Sequence, residues 1–515
     1  MSASTERKLR QAARSAGTDK KTIALEKEAQ EKAKSQLRWT IGTIAVVVVV
    51  VLVLLLNSGL MYRLTAFSVG DKNYTASEVN YRYSNQYYNF ASQYGQYASL
   101  FGLDTSGGIR GLEKQPCNMM ENGGTWKDYF LDAVRNELIH ETILGKYAAE
   151  KGITLDADDN TMVEGAFDGL EEQAVSMGYA SGDKFLAANY GTGVNRDLVR
   201  RAYQASVLAS KAATALSESF TYTPEQIEEK YQSYAGSEDY FDYAYAYVSA
   251  ERTESTNADG ETVSNVTEEA LAAAETKANA IADTYREAKG DSPAVRLVNA
   301  AASEEETGSQ QTRIQGSSLP AAVSAWLKDA ARASGDVTVQ PDENGCYVVV
   351  FLNRDDNHYN TVNVRHILVK AEADEEGNYS DEAKEAAKAR AEEILAEFES
   401  GDKTEERFAQ LAEQYSEDTG SNTNGGLYEN VAKGQMVQEF NDFCYAEHKA
   451  GDTGIVYGES ASYAGYHVMY YVGEGELNSN VIAETALRND DANAWMEEQE
   501  KANPSKDGFG MKFVG

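Results

Sequence analysis

No charged residue interrupts the 24 residues from Trp39 to Tyr62 of this 515-residue chain, and six consecutive valines, Val46 to Val51, lie in their midst. About 20 apolar residues suffice to cross a bilayer. A stretch so uniformly apolar has no polar stripe to turn toward water, so it predicts a membrane anchor rather than a buried core helix. The flanking charges orient it. Residues 1–38 hold ten Lys/Arg and five Asp/Glu, a net of +5, whereas the whole chain carries −35, which leaves −40 on the other 477 residues. Basic residues before the span and acidic ones after it place the N-terminus in the cytoplasm. The expected layout is a cytoplasmic tail over residues 1–38, a single-pass cell-membrane anchor over 39–62, and an extracytoplasmic remainder. Asn57 to Tyr62 offers no A-x-A-like cleavage site, and no cysteine follows that could take a lipid, so the anchor is expected to stay uncleaved.

The acidic remainder repels phosphate backbones, which excludes nucleic acid as a partner. Its length exceeds one hydrophobic core and calls for several domains. The three cysteines, Cys117, Cys346 and Cys444, are too far apart in sequence to form a disulfide framework or a metal cluster.

Phe67 to Tyr74 reads as a short hairpin turning at Gly70-Asp71, and Thr75 with Glu78 forms a capping box that starts a helix. Tyr83, Tyr87, Phe90, Tyr94 and Tyr97 then recur every three or four residues on one helical face. That face is either core or a hydroxyl-tipped surface for extended polypeptide. Trp126 to Ala149 and Leu198 to Leu216 add amphipathic helices, and Thr223-Pro224 starts another, so residues 63–235 form a mostly helical domain.

After Tyr240 the pattern changes. Phe241 to Val248 is an aromatic strand, Glu268 to Tyr285 an alanine-rich helix, and Gly335 to Val339 and Gly345 to Phe351 are strands. The next residues repeat this order, with Val364 to Val369, Asp381 to Glu399, Phe408 to Tyr415, Gly451 to Ile455 and Gly465 to Tyr470. Two tandem α+β units are expected, over 236–357 and 358–475, followed by a C-terminal helix and tail over 476–515. The fold class is therefore α+β with an N-terminal transmembrane helix.

The second unit resembles the parvulin family of peptidyl-prolyl cis/trans isomerases. The matching pieces are Arg365-His366-Ile367-Leu368-Val369, Phe408 to Ala412, Tyr415-Ser416-Glu417-Asp418, Asn424-Gly425-Gly426, Gly434-Gln435-Met436-Val437-Gln438-Glu439-Phe440 and Gly465-Tyr466-His467. With the helices and anchor before it, the chain resembles the membrane-anchored extracytoplasmic parvulin foldases of the PrsA and SurA kind. The first unit places Tyr245 and Tyr347 where the second has His366 and His467, and it lacks a Gly-Gln-Met-x-x-x-Phe segment, so it resembles a degenerate copy.

The resemblance implies roles. His366 and His467 would form a hydrogen-bonded pair beneath the pocket, and Asp418 would lie near the rotating carbonyl. Met436 and Phe440, four apart and expected on one helical face, would hold the proline ring, with Leu368 beside them. Ser462 or Tyr463 falls near the hydroxyl position of the network, and Ser462 is the candidate. The family's Asp-Leu-Gly after the glycine pair reads Leu427-Tyr428-Glu429 here, which leaves open the residue lining that wall. After Lys370 no Arg/Lys cluster appears to pair a phosphate, which argues against phosphoserine-proline specificity. Gly425-Gly426 is not followed by the Lys-Ser/Thr of a phosphate loop, and instead turns the chain toward the apolar face.

The implied activity is peptidyl-prolyl isomerisation, which needs no cofactor or metal. The implied partners are unfolded secreted or cell-surface polypeptides containing proline, and the lipid bilayer through the anchor. The alternative is a holdase chaperone with little or no isomerase activity.

Overall fold

The structure is a computed structural model that describes residues 3–16, 38–50, 59–121, 123–256, 262–374, 376–460 and 462–515, with Lys27, Lys32, Lys34 and Gln36. The chain divides into two units, Met1–Phe220 with Asp491–Gly515, and Thr221–Asp490.

In the first unit residues 38–50 are helical, and Trp39, Ile44, Val46 and Val50 are exposed. Residues 51–58, the second half of the apolar run, lie outside the described residues. Among the described residues no helix is long and apolar enough to cross a membrane. The far end of the expected span needs correction. Gly59 takes φ +71°, which a right-handed helix does not continue, and Leu60–Arg63 is a single 3₁₀ turn. Tyr62 packs on Phe513, with ring centroids 6.2 Å apart, so these residues belong to the folded unit.

Strands β1 (Thr65–Val69) and β2 (Lys72–Thr75) form the hairpin, with Gly70 at φ +55° in its turn. Thr75 caps α1 (Ala76–Tyr94) through the reciprocal bond with Glu78. Tyr83, Tyr87 and Phe90 are buried against Trp126 and Phe130 of α2 (Trp126–Lys151), so the aromatic stripe is a core face; only Tyr97 at its end is well exposed. Helix α3 (Arg196–Ser219) packs Ala209, Ala212 and Leu216 on Leu144, Tyr147 and Ala148 of α2.

The second unit holds two four-stranded antiparallel sheets. The first is built from β3 (Tyr240–Ser249), β6 (Gly308–Gln315), β7 (Val337–Asp342) and β8 (Gly345–Asp355) in the order β6-β3-β8-β7. A hairpin of β4 (Arg252–Thr256) and β5 (Thr262–Val266) stands beside it. The second sheet is built from β9 (Asn360–Lys370), β10 (Leu427–Val431), β11 (Thr453–Glu459) and β12 (Ala464–Leu477) in the order β10-β9-β12-β11. Both orders are the same: second, first, fourth, third in each sheet's own sequence.

The helices also recur. Helices α4 (Glu268–Glu287) and α5 (Pro293–Ser303) join the first two strands of the first sheet, and α6 (Ala321–Leu327) joins the next two. In the second sheet α7 (Asp381–Ser400) and α8 (Glu405–Tyr415) take the first connection and α9 (Gln438–Tyr445) the second. Ile367, Val369, Val468 and Tyr470 point to α7 and α8, where they bury Ile394, Phe398, Phe408 and Leu411. Because side chains alternate across a strand, Val364, His366, Leu368, His467 and Met469 turn to the opposite face. Helix α9 packs Phe440, Phe443 and Cys444 on part of that face.

The last helix, α10 (Asn478–Ala502), is longer than expected, and its Trp495 and Met496 join the cluster of Tyr147 and Leu216. Beyond it β13 (Ser505–Asp507) pairs antiparallel with β1, a strand not expected from the sequence.

Candidate active site

The central strands β9 and β12 place the two histidines. Their register pairs His366 with Met469 and Leu368 with His467, so the imidazoles stand on one face and on adjacent strands. Their Nδ1 atoms are 2.9 Å apart, and the rings stack with an interplanar angle of 25°. Only 3% of His366 and 4% of His467 is exposed.

The loop after α8 brings the carboxylate. The Leu368 N–H donates to Ser416 Oγ (3.1 Å) and the Glu417 N–H to the Leu368 carbonyl (2.9 Å), which ties the loop to β9. Asp418 follows directly, and its Oδ2 accepts from His366 Nε2 (2.8 Å), Ser421 Oγ (2.5 Å) and Tyr428 Oη (3.0 Å). The glycine pair closes this loop onto the sheet. Gly425 and Gly426 both take positive φ, and a Cβ on Gly426 would run into the His366 carbonyl. The Gly426 carbonyl accepts from the His366 N–H at 2.9 Å, and β10 then pairs Leu427 with Arg365.

Met436, Phe440 and Leu368 meet His366, Asp418 and His467 around one cavity of about 250 Å³, with Tyr428, Gln435, Val437 and Tyr463 completing the lining. Phe440 is 2% exposed and presents its ring edge-on to both imidazoles, at 5.4 and 5.3 Å between centroids. Met436 reaches the cavity from outside the helix, which corrects the expectation that the two share a helical face. Val437 has ψ 152° and caps α9, so Met436 lies in the bend between the Gly434 turn and the helix. A larger groove of about 540 Å³ lies elsewhere on this unit, lined by Lys370, Arg390 and Tyr415 among others, and gathers none of the expected site residues.

Ser462 is not brought to the cavity. It is exposed and bonds Ser460 Oγ at 3.1 Å, whereas the Tyr463 hydroxyl stands 3.0 Å from His467 Nε2. The reason is the loop between β11 and β12, which turns Ser462 outward before Tyr463 folds back over His467. Tyr428 is the wall residue the sequence left open, and Ser421 was not foreseen at all. Only the spacing from Asp418 could have suggested it, since a serine three residues on can reach the same carboxylate.

One assignment of hydrogens satisfies the whole row when both histidines are neutral. Tyr463 O–H donates to His467 Nε2, His467 Nδ1–H to His366 Nδ1, and His366 Nε2–H to Asp418. The His366 hydrogen bond, partly offset by burial and aided by Ser421, holds the Asp418 carboxyl well below the usual carboxylate range. Burial and the neighbouring His366 push His467 down to about 3, so it is neutral at pH 7. Burial, then Asp418, pushes the Tyr428 hydroxyl up; burial does the same to Tyr463. The cavity thus joins an apolar floor to a wall carrying one fixed negative charge. Among the described residues no group of three or more His, Cys, Asp or Glu could hold a metal ion.

Residues 347–471 match the family described as the PPIC-type PPIASE domain. This stretch is a parvulin-type domain. Similar proteins include foldase protein PrsA 1 of Listeria monocytogenes serotype 4b (strain F2365), 35% identical over 116 residues, which cover 22% of this chain and 31% of that protein. Foldase protein PrsA 3 of Bacillus anthracis is 33% identical over 135 residues, covering 26% of this chain and 39% of that one. The chain therefore spans well under half the length of these relatives. Solved structures with a local likeness include the peptidylprolyl isomerase PrsA of Bacillus anthracis (25% identity, 29% of this chain and 55% of that one, TM-score 0.18). PrsA of Bacillus subtilis is matched over 74% of this chain and 90% of that one, at 13% identity and a TM-score of 0.28.

The parvulin domain's central register also fixes the counterpart positions in the first sheet. There Tyr245 pairs with Val349 and Tyr247 with Tyr347. Overlaying the two registers sets Tyr245 on His366 and Tyr347 on His467.

Proposed function

We propose that this protein is a membrane-anchored extracytoplasmic foldase that isomerises X–Pro bonds in secreted or cell-surface polypeptides. The observation that carries the reading is the cavity of the parvulin domain, with Phe440, Met436 and Leu368 on one side and Asp418 on the other. The X–Pro bond crosses a barrier of roughly 18–20 kcal/mol as its partial double bond is lost. No nucleophile is required. Burial of the proline ring on Phe440, Met436 and Leu368 holds one side of the bond while the preceding carbonyl turns. The Asp418 carboxylate disfavours the resonance form that puts negative charge on the carbonyl oxygen, and that form gives the C–N bond its double-bond character. His366, His467 and Tyr463 transfer no proton here; they hold Asp418 and the floor in place, so that the site fits the twisted state better than the planar one.

Anchoring rests on the apolar run and its flanking charges. Protease added to intact cells should remove residues beyond about 63 and spare the N-terminal tail; protection of the acidic part would refute the orientation. Residues 63–235 serve as the chaperone body, 236–357 as a degenerate parvulin-like unit, 358–475 as the isomerase and 476–515 as a C-terminal helix and tail. Holdase action without turnover is the second reading, favoured by exposed Leu100, Val175 and Met177 in the first unit, which offer apolar contact to unfolded chains. A proline-isomerisation assay on the full chain with an Ala-Pro peptide separates the two. Acceleration supports the isomerase; its absence, with aggregation of an unfolded client still suppressed, leaves the holdase.

A further inference from the structure

The segment that carries Gln435, Met436 and Val437 into the cavity is held from outside its own sheet. Arg313 lies on β6, the edge strand of the first sheet. Between Phe241 and Tyr243 the β3–β6 register slips, so that Asp242 faces both Thr312 and Arg313. Such a bulge re-aims a side chain, and this one puts Arg313 at φ +53°, where a residue with a Cβ is held only by its surroundings. Those surroundings are explicit. The Arg313 N–H donates to Asp242 Oδ1 (2.6 Å), its Nη1 to Asp355 Oδ2 (3.3 Å), and its guanidinium lies 4.2 Å from the Tyr240 ring centre. The remaining prong, Nη2, donates to the Lys433 carbonyl.

Gly434 follows at φ +73°, and a Cβ there would lie 2.5 Å from Arg313 Nε. The guanidinium therefore fills the space that a side chain at residue 434 would need. On the other side Tyr359 receives the Lys433 N–H at 3.1 Å, with the Lys433 ammonium 3.9 Å from its ring centre. The turn is gripped between Arg313 and Tyr359, one residue before the cavity lining begins.

We propose that Arg313, although it belongs to the first sheet, is a positioning residue for the cavity of the second: it fixes the Lys433–Gly434 turn, and with it the place of Met436. The inference rests on the reading of that cavity as the proline site. It gives the tyrosine-bearing sheet a task in catalysis that needs no catalytic residue of its own.

The test uses the full chain with its methionine methyls carbon-13 labelled. R313A should broaden or shift the Met436 methyl signal and lower kcat/KM on an Ala-Pro peptide about fivefold, mainly through KM, with the thermal midpoint unchanged. R313K keeps a cation but loses the fork, so it should fall between, and it serves in place of R313A should that variant fail to fold. G434A should harm the wild-type chain more than it harms R313A, because the side chain it would meet is then gone. An unchanged Met436 signal in folded R313A, or strictly additive effects of R313A and G434A on that signal, would overturn the proposal. The methyl signal is read whether or not the chain accelerates isomerisation. A chain without activity thus removes the proposed function, while the claim for Arg313 is decided by the signal alone.

Discussion

The two sheets of the second unit share strand order, connecting helices and central register, yet their inner faces differ. In the second sheet α9 sets Phe440 under a pair of histidines and leaves a cavity beside them. In the first, Leu319 just before α6 and Val323 and Leu327 on it pack against Phe241, Tyr243 and Phe351, with Trp326 and Tyr347 partly buried beside them. Tyrosine also replaces imidazole. Tyr245 and Tyr347 have ring centroids 6.1 Å apart, against 5.1 Å for the histidines, and a phenol has one polar atom where an imidazole has two. A tyrosine relays through its single oxygen alone, whereas His366 carries the row across its ring, from Nδ1 facing His467 to Nε2 facing Asp418. The same backbone therefore supports a polar row reaching a carboxylate in one sheet and a packed aromatic face in the other.

If the contrast lies in the floor of the cavity, Phe440→Ala gives the largest effect. Truncating a buried Phe costs about 3–5 kcal/mol in packing, and a third of that lost from the bound twisted state slows kcat/KM about tenfold. Met436→Ala should follow, at a somewhat smaller loss because Met436 is only partly buried. Tyr245→Phe with Tyr347→Phe should leave the rate on an Ala-Pro peptide unchanged; a comparable loss would erase the distinction between the sheets.

Asp418→Ala comes next and acts through the charge beside the carbonyl. It should lower kcat/KM by an intermediate factor, and Tyr428→Phe, which keeps the carboxylate, by less. A Tyr428→Phe loss as large as that of Asp418→Ala would shift the emphasis from charge to hydroxyl. Conversely, Tyr245→His with Tyr347→His should confer no activity on the first sheet, since α6 occupies the counterpart face; the readout is residual turnover in a Phe440→Ala background.

The last expected effect is on stability rather than on turnover. Folded His467 is held near pKa 3, below the unfolded value of about 6.5, so the unfolded chain binds more protons between those limits. Stability contributed by neutral His467 is complete above pH 6.5 and declines as pH falls toward 3. Denaturant midpoints of the full chain across that range, against those of His467→Asn, should show a shallower slope in the variant.

Most of the fold was legible because its signals are local. Capping boxes at Thr75 and Thr223, the period of the helices and the apolar runs of β9 and β12 each act within a few residues. Of the edge strands, β6 and β10 were not legible. Gly308 to Gln315 has Ile314 as its one large apolar residue, and an edge strand needs little buried face to persist once its neighbour supplies the hydrogen bonds. Likewise β13 exists only because β1 lies beside it. At the site, the residues on β9 and β12 follow from alternation, but Tyr463 over Ser462, Tyr428 on the wall and Met436 outside α9 depend on loop conformations that spacing does not encode. The apolar run was plain as composition, whereas the left-handed turn at Gly59 and the packing of Tyr62 on Phe513, far away in sequence, were not.

On the proposed function, burial in the floor of the parvulin cavity, rather than chemistry at the histidines, drives turnover. Isomerisation of one Ala-Pro peptide by the full chain, measured for Phe440→Ala and His467→Asn side by side with circular dichroism on each, tests it most directly. A loss of about tenfold or more in Phe440→Ala with a smaller loss in His467→Asn is the predicted result. A folded His467→Asn chain without activity, beside a Phe440→Ala chain that keeps it, would contradict the account.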